Sequence, residues 1–251
     1  NAGGVIPSLG GYYVHSFSDR FKAGFSLLSY FGLGLDYGDN WVGRYYVEKS
    51  DFLTLAMSPS LAYKVNDWLS IGAMFNVLYS KLDSQSAIRN FFARPDGQLK
   101  YEDEDFGFGG GFGLLIEPRT GTRFGVTYYS PVNVSFNDVP ELNGVGPVLD
   151  GILTRLGMIG TKVGMDFTIP QWIMASAYQQ LTDRFAIMGN FGWQDWSQFG
   201  DVDISLSVNP ETTKSFNTHV GFKDTWHAAI GAQYRVSEPG RLSAGFASDS
   251  C

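Results

Sequence analysis

The chain has 251 residues and a formal net charge of -7; 17% of its side chains are charged, 16% are aromatic, and 31 residues are glycine. Strand formers combined with bend-permitting residues favour an all-β fold, and an acidic balance without a Lys or Arg run gives nucleic acid no electrostatic footprint. A lone Cys251 excludes an internal disulfide framework and a thiolate-rich metal site, and no stretch reaches the ~18 apolar residues of a membrane-spanning helix.

The first elements expected are strands over residues 6–17 and 21–31, joined by the tight turn Ser18-Asp19-Arg20. A long connection near 32–50 follows. From Asp51 the alternation is clear: Leu53, Leu55, Met57, Leu61 and Tyr63 fall on one face, against Thr54, Ala56, Ser58, Ser60, Ala62 and Lys64 on the other. After Val65-Asn66-Asp67 a strand over 68–81 repeats it, with Leu69, Ile71, Ala73, Phe75, Val77 and Tyr79 opposed to Ser70, Gly72, Asn76 and Ser80. A second long connection, 82–106, leads to strands 107–117 and 122–137 around the turn Arg119-Thr120-Gly121. In the latter strand Phe124, Val126, Tyr128, Val132 and Val134 alternate with Arg123, Gly125, Thr127, Asn133 and Ser135.

The third long connection, 138–166, contains a helix signal: Pro147 suits a first turn, Gly157 a C-terminal cap, and Val148, Leu149, Ile152, Leu153 and Leu156 share one face. Strands 168–181 and 185–196 flank Thr182-Asp183-Arg184, a fourth long connection spans 197–222, and strands 223–235 and 241–248 flank Ser237-Glu238-Pro239-Gly240. In 223–235, Trp226, Ala228, Ile230, Ala232 and Tyr234 again alternate with small or polar residues.

Short turns and long connections therefore alternate along about ten strands, as they do in a transmembrane meander with short turns at one rim and long loops at the other. The apolar faces should look toward lipid and the small and polar faces toward a lumen. A soluble antiparallel barrel or sandwich with one wet face also alternates, but would turn the apolar face inward.

The run Ile6-Pro7-Ser8 through Ser18-Asp19-Arg20-Phe21, then Tyr37-Gly38, Trp41-Val42-Gly43-Arg44-Tyr45 and Ala62-Tyr63-Lys64-Val65-Asn66-Asp67-Trp68-Leu69-Ser70-Ile71-Gly72, resembles the long-chain fatty-acid transporters and their aromatic-hydrocarbon relatives. The likeness continues through Ile169-Pro170, Trp196-Ser197-Gln198-Phe199, Gly221-Phe222-Lys223-Asp224 and Ala244-Gly245-Phe246-Ala247-Ser248-Asp249-Ser250, over essentially the whole chain. The resemblance implies an antiparallel meandering transmembrane β-barrel of the bacterial outer membrane, fourteen-stranded and plugged by an N-terminal hatch. Residues 1–251 would be a single partial barrel domain covering roughly the second to eleventh strands. Asn1 and Cys251 then read as cuts, with the hatch, the first strand and the last strands outside the chain. Such a fragment has two sheet edges and is expected not to close into a functional barrel by itself.

The resemblance also implies transport of a hydrophobic small molecule by loop capture, passage through a lumen pocket, and sideways release at an inward kink in one wall strand. The matching strand is 21–31, where Ser29, Tyr30, Gly32 and Gly34 supply the kink, unless these glycines simply open the loop. The candidate ligand residues on the lumen face are Leu28, Tyr30, Trp68, Met74, Leu78 and Tyr129, apolar breaks in a polar wall that a water-filled porin would not need and that fit either a greasy pocket or contact with the hatch. In the loops they are Phe91, Phe92, Leu149, Ile152, Leu153 and Leu156; the same side chains could instead pack loop on loop, and a groove would satisfy both readings. Lys81 and Arg89 are the cations available to a desolvated carboxylate, or are solvated surface charges. Where fatty-acid members carry a lysine before His-x-Gly-Phe-Lys-Asp this chain has Thr218, which favours uncharged ligands.

No zinc-type helix motif and no Gly-x-Ser-x-Gly elbow accompanies His15, His219 and His227, so neither catalysis nor a cofactor is expected. The run Glu102-Asp103-Glu104-Asp105 is either a calcium site or a solvated loop. Expected partners are a hydrophobic small-molecule ligand and outer-membrane lipid, with the full-length parent a monomer. The alternative function is a general polar porin or structural barrel.

Overall fold

A computed structural model describes residues 8–92, 94–199, 201–209, 212–219 and 221–250; the side chains of 30–31, 201–203, 206, 208–209 and 212–219 lie outside that description. The expected meander is present. Strands β1 (Gly10–Ser16), β2 (Phe21–Asp36), β3 (Lys49–Lys64), β4 (Leu69–Ile88), β5 (Gly97–Arg119) and β6 (Thr122–Tyr129) pair in sequence order. Next in the chain come β7 (Val132–Asp138), β8 (Glu141–Asn143), α1 (Pro147–Arg155) and β9 (Lys162–Ile169). The remainder comprises β10 (Trp172–Gln180), β11 (Phe185–Gln194), α2 (Trp196–Phe199), β12 (Asp201–Asn209), β13 (Thr212–His219), β14 (Thr225–Arg235) and β15 (Arg241–Asp249). The wall sheet continues from β6 to β10, β11, β14 and β15, and among the described residues β1 and β15 do not meet.

One row of register partners crosses all ten wall strands: Ser16, Lys22, Ala62, Gly72, Gly113, Thr127, Met174, Gly192, His227 and Asp249. At β1–β2 this row is the last pair before the turn, whereas at β14–β15 the last pair, Arg235↔Arg241, lies eight residues below it. The stagger is thus one residue per strand step. With a rise of about 3.3 Å per residue and a spacing of about 4.8 Å, the strands tilt by about 35°, the geometry of a barrel wall.

The two faces of that wall answer the lipid question. On β3 and β4 the lumen-side residues Thr54, Ala56, Ser58, Asn76, Leu78 and Ser80 are all buried, while outward Leu61, Ile71 and Phe75 are exposed. Greasy side chains thus cover the outside and hydroxyls the inside, the reverse of a soluble sandwich. Outward residues stay apolar from Leu69 to Tyr79 and turn charged at Lys81 and Asp83; on β5 they switch between Phe106 and Glu104. At this tilt the Leu69–Tyr79 band stands about 27 Å tall, the height of a bilayer core.

Several sequence boundaries need correction. The segment 82–106 is mostly strand, because β4 and β5 pair from Leu69↔Ile116 to Ile88↔Gly97 and only 89–96 is loop. The runs 122–137 and 168–181 each break at a proline, Pro131 and Pro170. Pairing keeps its register across the break, from Tyr129↔Trp172 to Val132↔Ile169, but changes sheet. Proline has no N–H for the ladder, and the two face each other at one level of the hairpin. Beyond them β7 and β9 tuck into the lumen and join β12 and β13 in a second sheet, β13-β12-β9-β7. Val132 and Val134, expected to face lipid, are therefore buried against the lumen side of β3–β5 with Phe136.

β7 lies on bare glycine backbone. A Cβ at Gly107 would stand 2.4 Å from Val132 Cγ1, and one at Gly109 2.7 Å from Val132 Cγ2. The acidic run divides by strand parity. Asp105 and Asp103 point inward and accept the β7 edge amides of Ser135 (2.6 Å) and Asn137 (2.5 Å). Glu102 and Glu104 point outward to Lys81 at 2.6 and 3.6 Å, and Lys100 reaches Glu102 at 2.5 Å. The four carboxylates are thus two structural pairs on opposite faces, not one ligand set.

Candidate functional site: an apolar lumen and its loop cover

The site begins at a cross-strand row on the lumen wall, Leu28↔Ala56↔Leu78↔Gly107, with Ala56 and Leu78 fully buried. Four residues nearer the turns is the row Ser60↔Met74↔Gly111↔Tyr129↔Trp172, in which the Tyr129 and Trp172 rings stack at 4.1 Å. The structure therefore brings Leu28, Met74, Leu78 and Tyr129 onto one interior surface.

The second sheet covers the Leu78 row with aromatic rings. Phe136 meets Phe52 edge-on at 6.1 Å and Phe167 at 6.0 Å; Phe167 leads to Phe199 and on to Phe222 and Trp196. The buried polar groups beside the Leu78 row are uncharged: Thr54, Ser58, Asn76 and Ser80, with Ser58 Oγ donating to Asn76 Oδ1. Where the wall continues above the apolar belt, burial pushes the Tyr101 phenol up to about 12, and its hydroxyl donates to the Val163 carbonyl at 3.0 Å.

Two of the expected ligand residues lie away from the Leu78 row. Trp68 precedes β4 at the short-turn rim, 50% exposed, where Asn66 Oδ1 accepts the amides of Trp68 (3.0 Å) and Leu69 (2.8 Å) and the Glu117 amide donates to the Trp68 carbonyl at 2.7 Å. Lys81 lies on the outer face, already paired with Glu102 and Glu104, above the apolar belt. The Tyr30 side chain and Thr218 fall outside the described side chains.

At the expected kink the β2–β3 register shifts between Ser29↔Leu55 and Gly32↔Leu53, so Tyr30 and Phe31 both stand opposite Thr54. This is a β-bulge, which bends the strand and increases its twist. β2 then runs through Gly32 and Gly34 to Asp36, so these glycines do not start the loop. β1 pairing ends beside the bulge, where the Ser29 amide donates to the Leu9 carbonyl at 2.8 Å and Ser29 Oγ accepts the Leu9 amide at 2.9 Å.

Above the lumen, helix α1 forms where Pro147 and Gly157 place it. It ends in a Schellman cap: Met158 N–H donates to Leu153 O (2.9 Å) and Gly157 N–H, at φ +68, to Thr154 O (3.0 Å). Leu149 and Leu153 are half-buried, while Val148, Ile152 and Leu156 remain exposed. The loop 89–96 carries Phe91 at 49% and Phe92 at 83% exposure, Phe92 in the left-handed region at φ +59. Exposed Arg89 is beside Asp96, whose carboxyl is held below its usual range first by the Arg44 guanidinium (2.9 Å) and then by the Tyr45 hydroxyl (2.8 Å).

Several residues that organise this region escaped the sequence reading. Buried Asn90 donates to Pro95 O (2.7 Å) and Gly144 O (2.9 Å) and accepts Gly146 N–H (2.8 Å), clamping the two loops together. Buried Asp195 accepts Gln171 Nε2 (2.9 Å), Ser197 Oγ (3.0 Å) and Gln198 Nε2, while Asp224 accepts Ser197 N–H (3.1 Å) and Trp193 Nε1 (3.2 Å). The motif pieces after Ile169, at Trp196 and before Thr225 therefore meet at the point where the hairpin leaves the wall. Pro131 facing Pro170 was the available signal for that departure. A separate groove of about 570 Å³ touches Arg123, Tyr178, Met188 and Asn190, and none of the expected ligand residues lines it.

Residues 2–251 match the family described as outer membrane protein transport protein (OMPP1/FadL/TodX). The chain is 26% identical over 271 residues to the long-chain fatty acid transport protein of Escherichia coli O6:H1, covering 97% of this chain and 59% of that one. To outer membrane protein P1 of Haemophilus influenzae it is 24% identical over 275 residues, covering 98% and 57%. The fold is similar to that of a Pseudomonas aeruginosa FadL homologue (TM-score 0.81, 20% identity, 95% of this chain and 59% of that one). It is also similar to that of the Ralstonia pickettii toluene transporter TbuX (TM-score 0.74, 18% identity, 95% and 68%). The chain spans under three fifths of both curated relatives. A wall apolar outside, a lumen with its own apolar row, and a family match along nearly the whole sequence agree: this chain belongs to the OMPP1/FadL/TodX family of bacterial outer-membrane transport proteins.

Proposed function

We propose that the full-length parent transports hydrophobic small molecules across the outer membrane, capturing them on the loops, passing them to the apolar lumen and releasing them sideways at the β2 bulge. The observation that carries this reading is the Leu28–Ala56–Leu78 row, an apolar interior surface inside a wall that is also apolar outside. The exposed apolar side chains of α1, with Phe91 and Phe92, support capture. The bulge at Tyr30–Phe31 supports a lateral exit. Ligand contacts are assigned to Leu28, Met74, Leu78 and Tyr129 inside, and to Phe91, Phe92, Leu149, Ile152, Leu153 and Leu156 in the loops.

Relatives bear the names of long-chain fatty acid and toluene transporters. For this chain an uncharged hydrocarbon is the better fit, because a desolvated carboxylate needs a cation and the buried polar side chains beside the Leu78 row, Thr54, Ser58, Asn76 and Ser80, are hydroxyls and an amide. The further strands of the longer parent would close the barrel as a single domain acting as a monomer. The test is uptake of radiolabelled toluene and oleate into liposomes holding the full-length parent. Transport of toluene is expected; transport of neither, with free passage of small sugars, would make it a polar porin.

A further inference from the structure

The wall is interrupted at a second place, far from the β2 bulge. β6 and β10 end at Tyr129 and Trp172, and the hairpin they belong to turns inward at Pro131 and Pro170. β5 does not turn with them. Above Gly111 it continues to Gly97, and on its β6 side only β8 pairs with it, at Gln98–Lys100. Its remaining edge, from Tyr101 to Gly110, has no strand partner among the described residues.

The first step past the break is sealed by Ser130. Its amide donates to Gly110 O at 2.8 Å, and its hydroxyl accepts Gly110 N–H at 2.9 Å. Because strand residues alternate in the direction of their peptide groups, those of Phe108 and Phe106 point to the same vacated side. Both side chains lie on the outward face, 61% and 52% exposed, and below the Glu104 level where that face becomes charged. The gap therefore lies within the apolar belt, in its loop-side half. From Gly111 to Phe106 it is about 13 Å tall at the wall's tilt. Unpaired peptide groups at such a depth are costly unless something mobile or exchangeable uses the edge.

Immediately behind the gap stands β7. Val132 and Val134 are 3% and 1% exposed and pack on the bare backbone of Gly107 and Gly109; on the same face they join the Phe52, Leu78 and Phe136 core. A small outward opening of β5 against β7 would connect the surrounding acyl chains with the apolar lumen without passing the loops.

Building on the transport reading, we infer that the gap beside β5 is a side entrance for uncharged hydrocarbons already dissolved in the outer leaflet, with β7 as its door and the Pro131–Pro170 pair as its hinge. The strongly apolar solutes such a lumen suits partition into acyl chains ahead of water, so an entrance at that depth meets them where they are concentrated.

The test locks the door in the full-length parent, with native cysteines removed. Gly107→Cys with Val132→Cys brings the two side chains into direct contact, since a Cβ at Gly107 would overlap the Val132 Cγ1 methyl at 2.4 Å and Val132→Cys removes that methyl or replaces it with the bonding sulfur. With toluene supplied from preloaded lipid, oxidation should cut uptake at least tenfold and reduction should restore it. Undiminished uptake by the oxidised protein would overturn the entrance, whereas failure of the unmodified parent to transport would count against the transport reading instead. A second measurement needs no disulfide: a maleimide tethered to a phospholipid acyl chain should label Val134→Cys. Labelling of Phe108→Cys but not of Val134→Cys would overturn the proposal equally.

Discussion

Replacing Asn90 by alanine should release helix α1 from the loop 89–96 while leaving the barrel wall intact. The carboxamide makes three bonds at 2.7, 2.9 and 2.8 Å, two donated to Pro95 O and Gly144 O and one accepted from the Gly146 amide. Gly146 is buried and is the N-cap of α1, with its carbonyl accepting the Asp150 amide at 2.9 Å. Three net hydrogen bonds at about 1 kcal/mol each give a local loss of about 3 kcal/mol, before any added penalty for the orphaned Gly146 N–H. At 1.36 kcal/mol per decade that is a rise of about 150-fold in the opening constant of the clamp. Hydrogen exchange by mass spectrometry on the full-length parent in micelles reads it directly. Peptides spanning Asp150–Leu156 should exchange about a hundred times faster, and those of β3 to β6 should not change. Asn90→Asp, which keeps the acceptor for Gly146 and loses both donors, should fall between. Unaltered exchange in the helix of the alanine variant would refute the assignment of Asn90 as the clamp.

Three further outcomes test the other parts of the reading. Phe75→Arg, on the outward face, should weaken insertion into lipid vesicles by about 2–4 kcal/mol, as measured by urea titration of folding; a neutral effect would argue against a lipid-facing wall. Phe136→Ala, which empties a fully buried site between the inner sheet and the wall, should cost about 3–5 kcal/mol in the same titration, while Phe124→Ala on the outward face should cost far less. Ile152→Ser with Leu156→Ser should raise the half-saturating toluene concentration without lowering the maximal rate; a fall in maximal rate alone would remove α1 from capture.

The ion-pair network above the apolar belt makes a pH prediction of definite sign. Lys100 first, and then Lys81, hold the Glu102 carboxyl down to about 2 from its ordinary 4.5. Because the folded value is depressed, the network's contribution is fully present above pH 4.5 and is lost as pH falls through about 2. Carbon-detected NMR titration of Glu102 should show its midpoint near the lower value, and a midpoint near 4.5 would show the pairs to be absent in solution.

Local chemistry made much of the architecture readable. Two-residue periodicity located the β3, β4 and β14 walls, polar turn clusters located the hairpins, and Pro147 with Gly157 bracketed α1, because each signal depends only on neighbours in the chain. Even the acidic run carried its answer in its parity, since adjacent strand residues must point to opposite faces.

The sequence by itself therefore determined the strands, their alternation, the direction of their apolar faces through most of the wall, and the family. Only the tertiary structure decided what those faces meet. Val132 and Val134 have the same parity as Phe124 and Val126, yet they end inside, because two prolines far apart in the chain stand together and send the hairpin behind β5. Burial there is a property of which strands become neighbours, and that is set by long-range pairing, not by the residues on either side.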